Sequence, residues 1–191
     1  FVSREVDYID IWLAEGDIKQ RQATKIFKSL YGDSRDKTTL FVTLLREAGI
    51  EAYPVLVSSR EIATFFDDFP AMIFNHVITK IVINGKTYYV DPTEELGAFE
   101  YIPDECQGRL AMDIMDKPVF HTLPYMPKSE NGTNYNISLD IDSKGGMVGE
   151  IKVDFYGESR IAFLQTINKL KGKKLNKKIH RVLLDLIPGV S

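Results

Sequence analysis

Gly32-Asp33-Ser34-Arg35-Asp36-Lys37 places a hydroxyl at the start of a segment whose apolar spacing reads as a helix. A helix start presents N–H groups and partial positive charge, which stabilise an anionic nucleophile or a developing oxyanion. A cysteine thiol there would ionise more readily, whereas a serine hydroxyl depends on a positioned base. Taken alone, the segment reads as a capping serine. His76 and Asp91 add a base and its partner. Asn84-Gly85 is a strong two-residue turn signal, since both residues tolerate the positive φ of a type I′ turn. That turn sets Ile83 opposite Lys86 and Asp91 opposite Ile78. Residues 76 and 78 share a face, so His76 and Asp91 become diagonal neighbours with Cα atoms roughly 7–8 Å apart. Across that gap a carboxylate can orient an imidazole and stabilise its charged form. Val77, Thr79, Ile81, Tyr88 and Val90 take the other face, the expected core side.

A helix and a sheet must hold these residues. Val6, Tyr8, Asp10 and Trp12 alternate with Asp7, Ile9, Ile11 and Leu13 as in a strand. Ala23, Ile26, Phe27 and Leu30 recur at helical spacing and stop at Gly32. Asp33 or Ser34 then caps a second helix, whose Leu40, Phe41, Leu44, Leu45 and Ala48 stripe, closed by Gly49, is expected to be central and buried. Residues 52–57 read as a strand in which Pro54 marks an edge or an irregular start. An aromatic loop with Phe65, Phe66 and Phe69 precedes the hairpin, and 94–108 reads as a loop before a further strand at 109–115. Pro118, Pro124, Pro127 and residues 129–133 mark a connection. A second hairpin, 135–140 with 148–155, leads to helical spacing at Leu175, Ile179, Val182, Leu183 and Leu186. The fold class is α+β, a central helix on an antiparallel sheet, with a core at 1–127 and a small partial C-terminal lobe at 128–191.

Composition narrows the function classes. With 191 residues, 44% hydrophobic and 27% charged, the chain is neither disordered nor collagen-like. A chain of this length buries roughly 70% of its unfolded surface. Cys106 is the only cysteine, so there is no internal disulfide and no cysteine-based zinc site. No apolar run reaches the ~18–20 residues of a membrane span, so no integral membrane segment is expected. A net charge of -3 argues against a nucleic-acid partner. The chain begins at Phe1 and enters a strand-like pattern at once, which suggests a piece cut from a longer protein behind a signal peptide or a further domain.

Residues 31–49, with Gly32-Asp33-Ser34 at their start, resemble the nucleophile motif of the bacterial transglutaminase-like superfamily. Residues 50–55, Asn75-His76-Val77 and Val90-Asp91-Pro92-Thr93 resemble its following motifs, in the same order, over roughly residues 2–115. The resemblance implies a papain-like fold and a Cys-His-Asp site. In it His76 is base or imidazolium, Asp91 orients it, and Ser34 stands where the family has cysteine. Cys106 lies outside the motif and is no substitute. Such enzymes form a thioester with a peptide or protein acyl group, without a cofactor, and pass it to an amine or to water. A similar arrangement occurs in envelope-associated proteins, which implies a periplasmic or cell-envelope location. Ser34 is then an engineered replacement, a natural loss that leaves a peptide- or protein-binding module, or a working serine. A site shaped for a thiolate and imidazolium pair is not thereby competent to deprotonate a hydroxyl, so it is expected to be inactive as written.

The remaining motifs have plainer readings. Asp140-Ile141-Asp142-Ser143-Lys144-Gly145 lacks the oxygen ligands of a calcium loop and reads as a turn. His76, His121 and His180 lack zinc-ligand spacing, so no metal is expected. The basic run from Lys169 to Arg181 reads as the solvated face of a helix. Asn131-Gly132-Thr133 and Asn136-Ile137-Ser138 match glycosylation acceptors. Aromatics at Phe65, Phe66, Phe69 and Phe74 would line a groove or anchor a loop, with 58–74 as a lid.

Overall fold

Asn84 (φ 51°) and Gly85 (φ 77°) both take the left-handed conformation that a tight hairpin turn requires. In the computed structural model, which describes residues 1–9, 21–60 and 73–185, this turn joins β4 (His76–Ile83) to β5 (Lys86–Val90). Ile83 pairs with Lys86 and Thr79 with Val90, the register expected from the sequence. The ladder ends there, one step short of the expected Ile78–Asp91 pair.

Before this hairpin come α1 (Val2–Glu5), β1 (Asp7–Tyr8), α2 (Ala23–Ser29), β2 (Tyr31–Gly32), α3 (Ser34–Glu47) and β3 (Glu51–Val57). After it come β6 (Leu110–Asp113) and β7 (Val119–Thr122). Five strands form one antiparallel sheet in the order β5-β4-β3-β6-β7, with α3 packed against β3 and β4. The fold is α+β. The residues divide into two compact units, Phe1–Met126 and Pro127–Ser191.

On one face of the sheet, Val55, Val57, Ile78 and Ala111 bury against Ile102, Cys106 and Leu123. Val77, Thr79, Ile81 and Ala52 are buried as well, so β4 is covered on both faces rather than on the expected one. Thr38 Oγ1 donates to the Val77 carbonyl at 3.0 Å, and Arg46 Nε to the Ala52 carbonyl at 2.8 Å. Ala52 faces Ile81 across the ladder. The eight residues from Thr38 to Arg46 span about 12 Å of helix, against about 13 Å of strand from Val77 to Ile81. Helix α3 therefore runs alongside β4 in the same direction.

Several expectations are corrected. Pro54 lies in the central strand, not at an edge. Its carbonyl accepts from Ile114 at 2.8 Å on the β6 side, where the β3–β6 ladder ends at Val55–Asp113. Its missing N–H faces that same side, where it cannot return a bond to Ile114, so the β3–β6 ladder stops there while the pairing with β4 is intact. The expected strand from Val6 gives way to α1 and a two-residue β1, because Val2 and Val6, one helical turn apart, bury together with Ile26 and Leu40. The rest of that stretch, 10–20, lies outside the described residues. Helix α2 ends with Leu30 in the left-handed conformation (φ 54°) rather than at Gly32, which pairs in β2. In α3, burial concentrates in the first half, at Ser34, Asp36, Lys37, Thr38, Leu40 and Val42, whereas Leu44 is exposed. Phe65, Phe66, Phe69 and most of the suggested lid lie outside the described residues.

The second unit carries a hairpin of β8 (Gly132–Ile141) and β9 (Met147–Tyr156), then α4 (Gly157–Ile167) and α5 (Gly172–Asp185). Helix α4 was not legible from apolar spacing. Its start is satisfied by Asn131 Oδ1, which accepts the Glu158 amide at 3.0 Å, and Phe163 stacks on Phe155. Asp142 Oδ1 accepts the Lys144 and Gly146 amides, which makes the acidic loop a hairpin turn. Lys173, Lys174, Lys177 and Arg181 are exposed on α5.

Thr79, paired with Pro54 and Val90, is fully buried, and its Oγ1 has no hydrogen-bond partner among the described residues. A buried hydroxyl left unpaired costs about 1–3 kcal/mol. Thr79→Val keeps the shape and removes that cost, so the urea midpoint is expected to rise by the equivalent of about 1 kcal/mol. A lower midpoint would show that the hydroxyl is satisfied.

Candidate active site

Asp33 opens α3 by accepting the Asp36 amide on Oδ1 at 3.0 Å, while its main-chain carbonyl takes the Lys37 amide. Ser34 is therefore the first helical residue and not the cap, and only 5% of it is exposed. Arg35 folds back on Asp33 through two guanidinium nitrogens, which offsets the capping carboxylate's charge beside Ser34. Asp36 is gripped from the other side by Arg21 at 2.8 Å, and Arg21 also holds Ser29 Oγ and the Tyr31 carbonyl. Burial pushes the Asp36 carboxyl up, and the hydrogen bond from Arg21 opposes that. Gly32 is required here, because a Cβ on it would lie 2.4 Å from the Asp36 Cβ.

His76 is fixed through its neighbour. The Asn75 side chain accepts the Ser59 amide at 2.8 Å and donates to Ser59 Oγ at 2.7 Å, while its main-chain N–H meets the Val57 carbonyl. Arg109 Nε donates to the Ser58 carbonyl at 2.8 Å. His76 thus starts β4 at a clamped position opposite Val57.

Asp91, one residue beyond β5, meets His76 Nε2 through Oδ2 at 2.6 Å. Its Oδ1 accepts the Thr93 amide at 2.8 Å and the Thr93 hydroxyl at 2.7 Å. The Asp91 side chain is 1% exposed and that of His76 15%. Burial opposes ionisation of Asp91, but the charge and hydrogen bond of His76 and the two bonds from Thr93 outweigh it and hold the carboxyl below its ordinary value. An ionised carboxylate only accepts, so His76 Nε2 carries a proton. In the neutral ring Nδ1 is then the basic nitrogen.

The structure brings His76 and Asp91 into direct contact, as the hairpin register predicts. Ser34 arrives by another route. Thr38, one turn after it, is bonded to the residue beside His76, and α3 runs alongside β4, so Ser34 lies about 6 Å upstream of that anchor, at the His76 end of the sheet. Among the described residues no hydrogen bond joins Ser34 to His76. Cys106 is wholly buried in the core, away from this role. A cavity of about 330 Å³ has Asp91 in its wall beside Ser3, Phe41, Val90, Glu95 and Tyr101.

A second polar cluster escaped the sequence reading. Asp113 accepts Lys80 Nζ on Oδ2 at 2.6 Å and pairs through Oδ1 with His121 Nε2 at 2.7 Å. The Tyr89 hydroxyl nearby is pushed up to about 12 by burial and by the charge of Asp113. The alternation in Val119–Thr122 was the available signal, masked by the flanking prolines. Among the described residues no group of His, Cys, Asp and Glu side chains is placed to hold a metal ion, and no helix is long and apolar enough to cross a membrane.

No protein-family model matches the chain, and no curated protein matches it in sequence. A crystal structure from Parabacteroides distasonis ATCC 8503, provisionally described as a protease, aligns with a TM-score of 0.48 at 14% identity. The alignment covers 76% of this chain and 29% of that one, so this chain spans under a third of that protein's length.

The depressed Asp91 carboxyl stabilises the fold above its ordinary value of 3.8, and that contribution is lost as pH falls below 3.8 and through the lower folded value. Asp91→Asn is expected to lower stability at pH 7 by roughly 2 kcal/mol and to flatten the acid limb of a urea-midpoint profile. An acid limb as steep as that of the parent would count against an ionised Asp91.

Proposed function

We propose that residues 1–127 are a transglutaminase-like core of papain-like fold, related to Cys-His-Asp acyl-transferases and peptidases and followed by a partial lobe at 128–191. In this reading Ser34 holds the nucleophile position and leaves the site without acyl-transfer activity. The observation that carries the reading is the 2.6 Å His76–Asp91 contact at the end of the sheet that α3 reaches with its first turn. The acyl group to which such a site is suited belongs to a peptide or protein, and the setting implied by the resemblance is the periplasm or cell envelope.

The arrangement divides the work of acyl transfer. The start of α3 favours negative charge at residue 34 and at a developing oxyanion. Asp91 fixes Nε2 of His76, so Nδ1 would take the proton of a nucleophile at 34 and return it to the leaving group. With sulfur at 34 the proton moves before the substrate arrives, and the thiolate and imidazolium stabilise each other. With oxygen at 34 the hydroxyl stays protonated at rest, and neither the helix start nor the imidazole has an anion to act on.

A Ser34→Cys chain carrying Cys106→Ala tests this. Its thiol is expected to react with iodoacetamide well below pH ~8.5, the midpoint of an ordinary cysteine. At pH 6 the rate is expected to exceed that of the same chain with His76→Ala by roughly tenfold or more. Equal rates would sink the reading and leave a peptide- or protein-binding module in its place.

A further inference from the structure

Among the described residues Lys37 is the largest fully buried side chain, 1% exposed. It lies in the first turn of α3, where the helix dipole disfavours a cation, and burial pushes its ammonium group below the ordinary lysine value. Its compensation comes from the end of another helix. Nζ donates to the Val6 carbonyl at 2.8 Å and to the Ser3 carbonyl at 3.3 Å. Val6 caps the C-terminus of α1, where carbonyls lack intrahelical partners and carry partial negative charge. Asp91, Glu95 and Asp7 supply the full negative charges that attract the ammonium group, and Arg4, Glu94 and Glu95 line the adjoining cavity.

Asp91 has the opposite need. His76, its ion-pair partner, is cationic only when protonated. A proton carrier alternates between its two states, and each return to neutral imidazole leaves a buried carboxylate without that counter-charge. Ser3, on which Nζ rests, and Asp91 line the same cavity. We propose that Lys37 is a positioning residue for the His76–Asp91 pair: it clamps Ser3–Val6 into the wall that Asp91 shares, and it keeps Asp91 ionised while His76 is neutral. The proposal rests on the reading of His76 as the proton carrier.

The test follows the Asp91 carboxyl by NMR titration in the Ser34 chain carrying His76→Ala, where no imidazolium faces Asp91, with Lys37→Met and Lys37→Arg added. The Asp91 midpoint is expected to rise in Lys37→Met and to return in Lys37→Arg, with faster hydrogen exchange of the Arg4 and Glu5 amides in Lys37→Met alone. An unmoved midpoint in folded Lys37→Met would overturn the proposal and reduce Lys37 to a structural clamp. A second arm covers the case in which Lys37→Met does not fold. With His76→Ala and Lys37 intact, Asp91 is expected to remain ionised at pH 7; a neutral Asp91 there would equally overturn the proposal. Both arms read Asp91 without a reactive thiol, so a failure of Ser34→Cys to show an activated thiol is a separate result.

Discussion

A buried carboxylate at Asp91 is the constraint around which the larger unit is organised. Taking it out of water is unfavourable unless each oxygen finds donors. Oδ2 finds His76 and Oδ1 finds the amide and hydroxyl of Thr93. Thr93 is local, two residues away, but His76 is fifteen residues distant and arrives only if β4 and β5 pair in one register. A slip by one residue would turn the whole strand over. The Asn84-Gly85 turn excludes that slip, because few other residue pairs accept positive φ at both positions.

Apolar burial and polar satisfaction divide the task differently in the sheet and in α3. Val55, Val57, Ile78 and Ala111 anchor the sheet with groups whose attraction is not directional. The cap and opening residues of α3, Asp33, Asp36, Lys37 and Thr38, are buried, and each has a specific partner: Arg35, Arg21, the Val6 carbonyl and the Val77 carbonyl. Such contacts contribute modestly to net stability, but leaving any one unmade is costly, so they fix the helix along its axis. Ser34 is therefore placed by hydrogen-bonding geometry rather than by packing alone.

What could be read in the sequence was local. The hairpin turn, the register that joins His76 to Asp91 and the start of α3 are each encoded within a few residues of themselves. Whatever depended on a distant partner was not legible. Pro54 signals an edge, and it does sit at the end of one ladder, yet β6 and β7 beyond it make its strand central. His121 looked isolated because β7 lies between Pro118 and Pro124, and without β7 nothing sets it beside Asp113. Nothing near Lys37 in the sequence signals its burial, since its partners Ser3 and Val6 lie more than thirty positions away. Val6 itself alternates with its neighbours as a strand residue does, while its burial is shared with Val2 at helical spacing.

In the proposed reading, the oxygen at position 34 separates the frame from its chemistry. Ser34 fits the frame because it differs from cysteine by one atom and because Asp33, not the residue at 34, caps the helix. None of the contacts that locate α3 involves its hydroxyl, so replacing sulfur by oxygen leaves the architecture in place. The catalytic gain from a helix start and an imidazolium scales with the negative charge they face. A thiol near such groups supplies that charge at rest, and a hydroxyl supplies it only as the proton is being removed. In the proposed reading the same buried Asp91 and the same hairpin are therefore compatible with a working acyl-transfer site and with a silent one, and the ionisation of a single atom at the start of α3 decides between them.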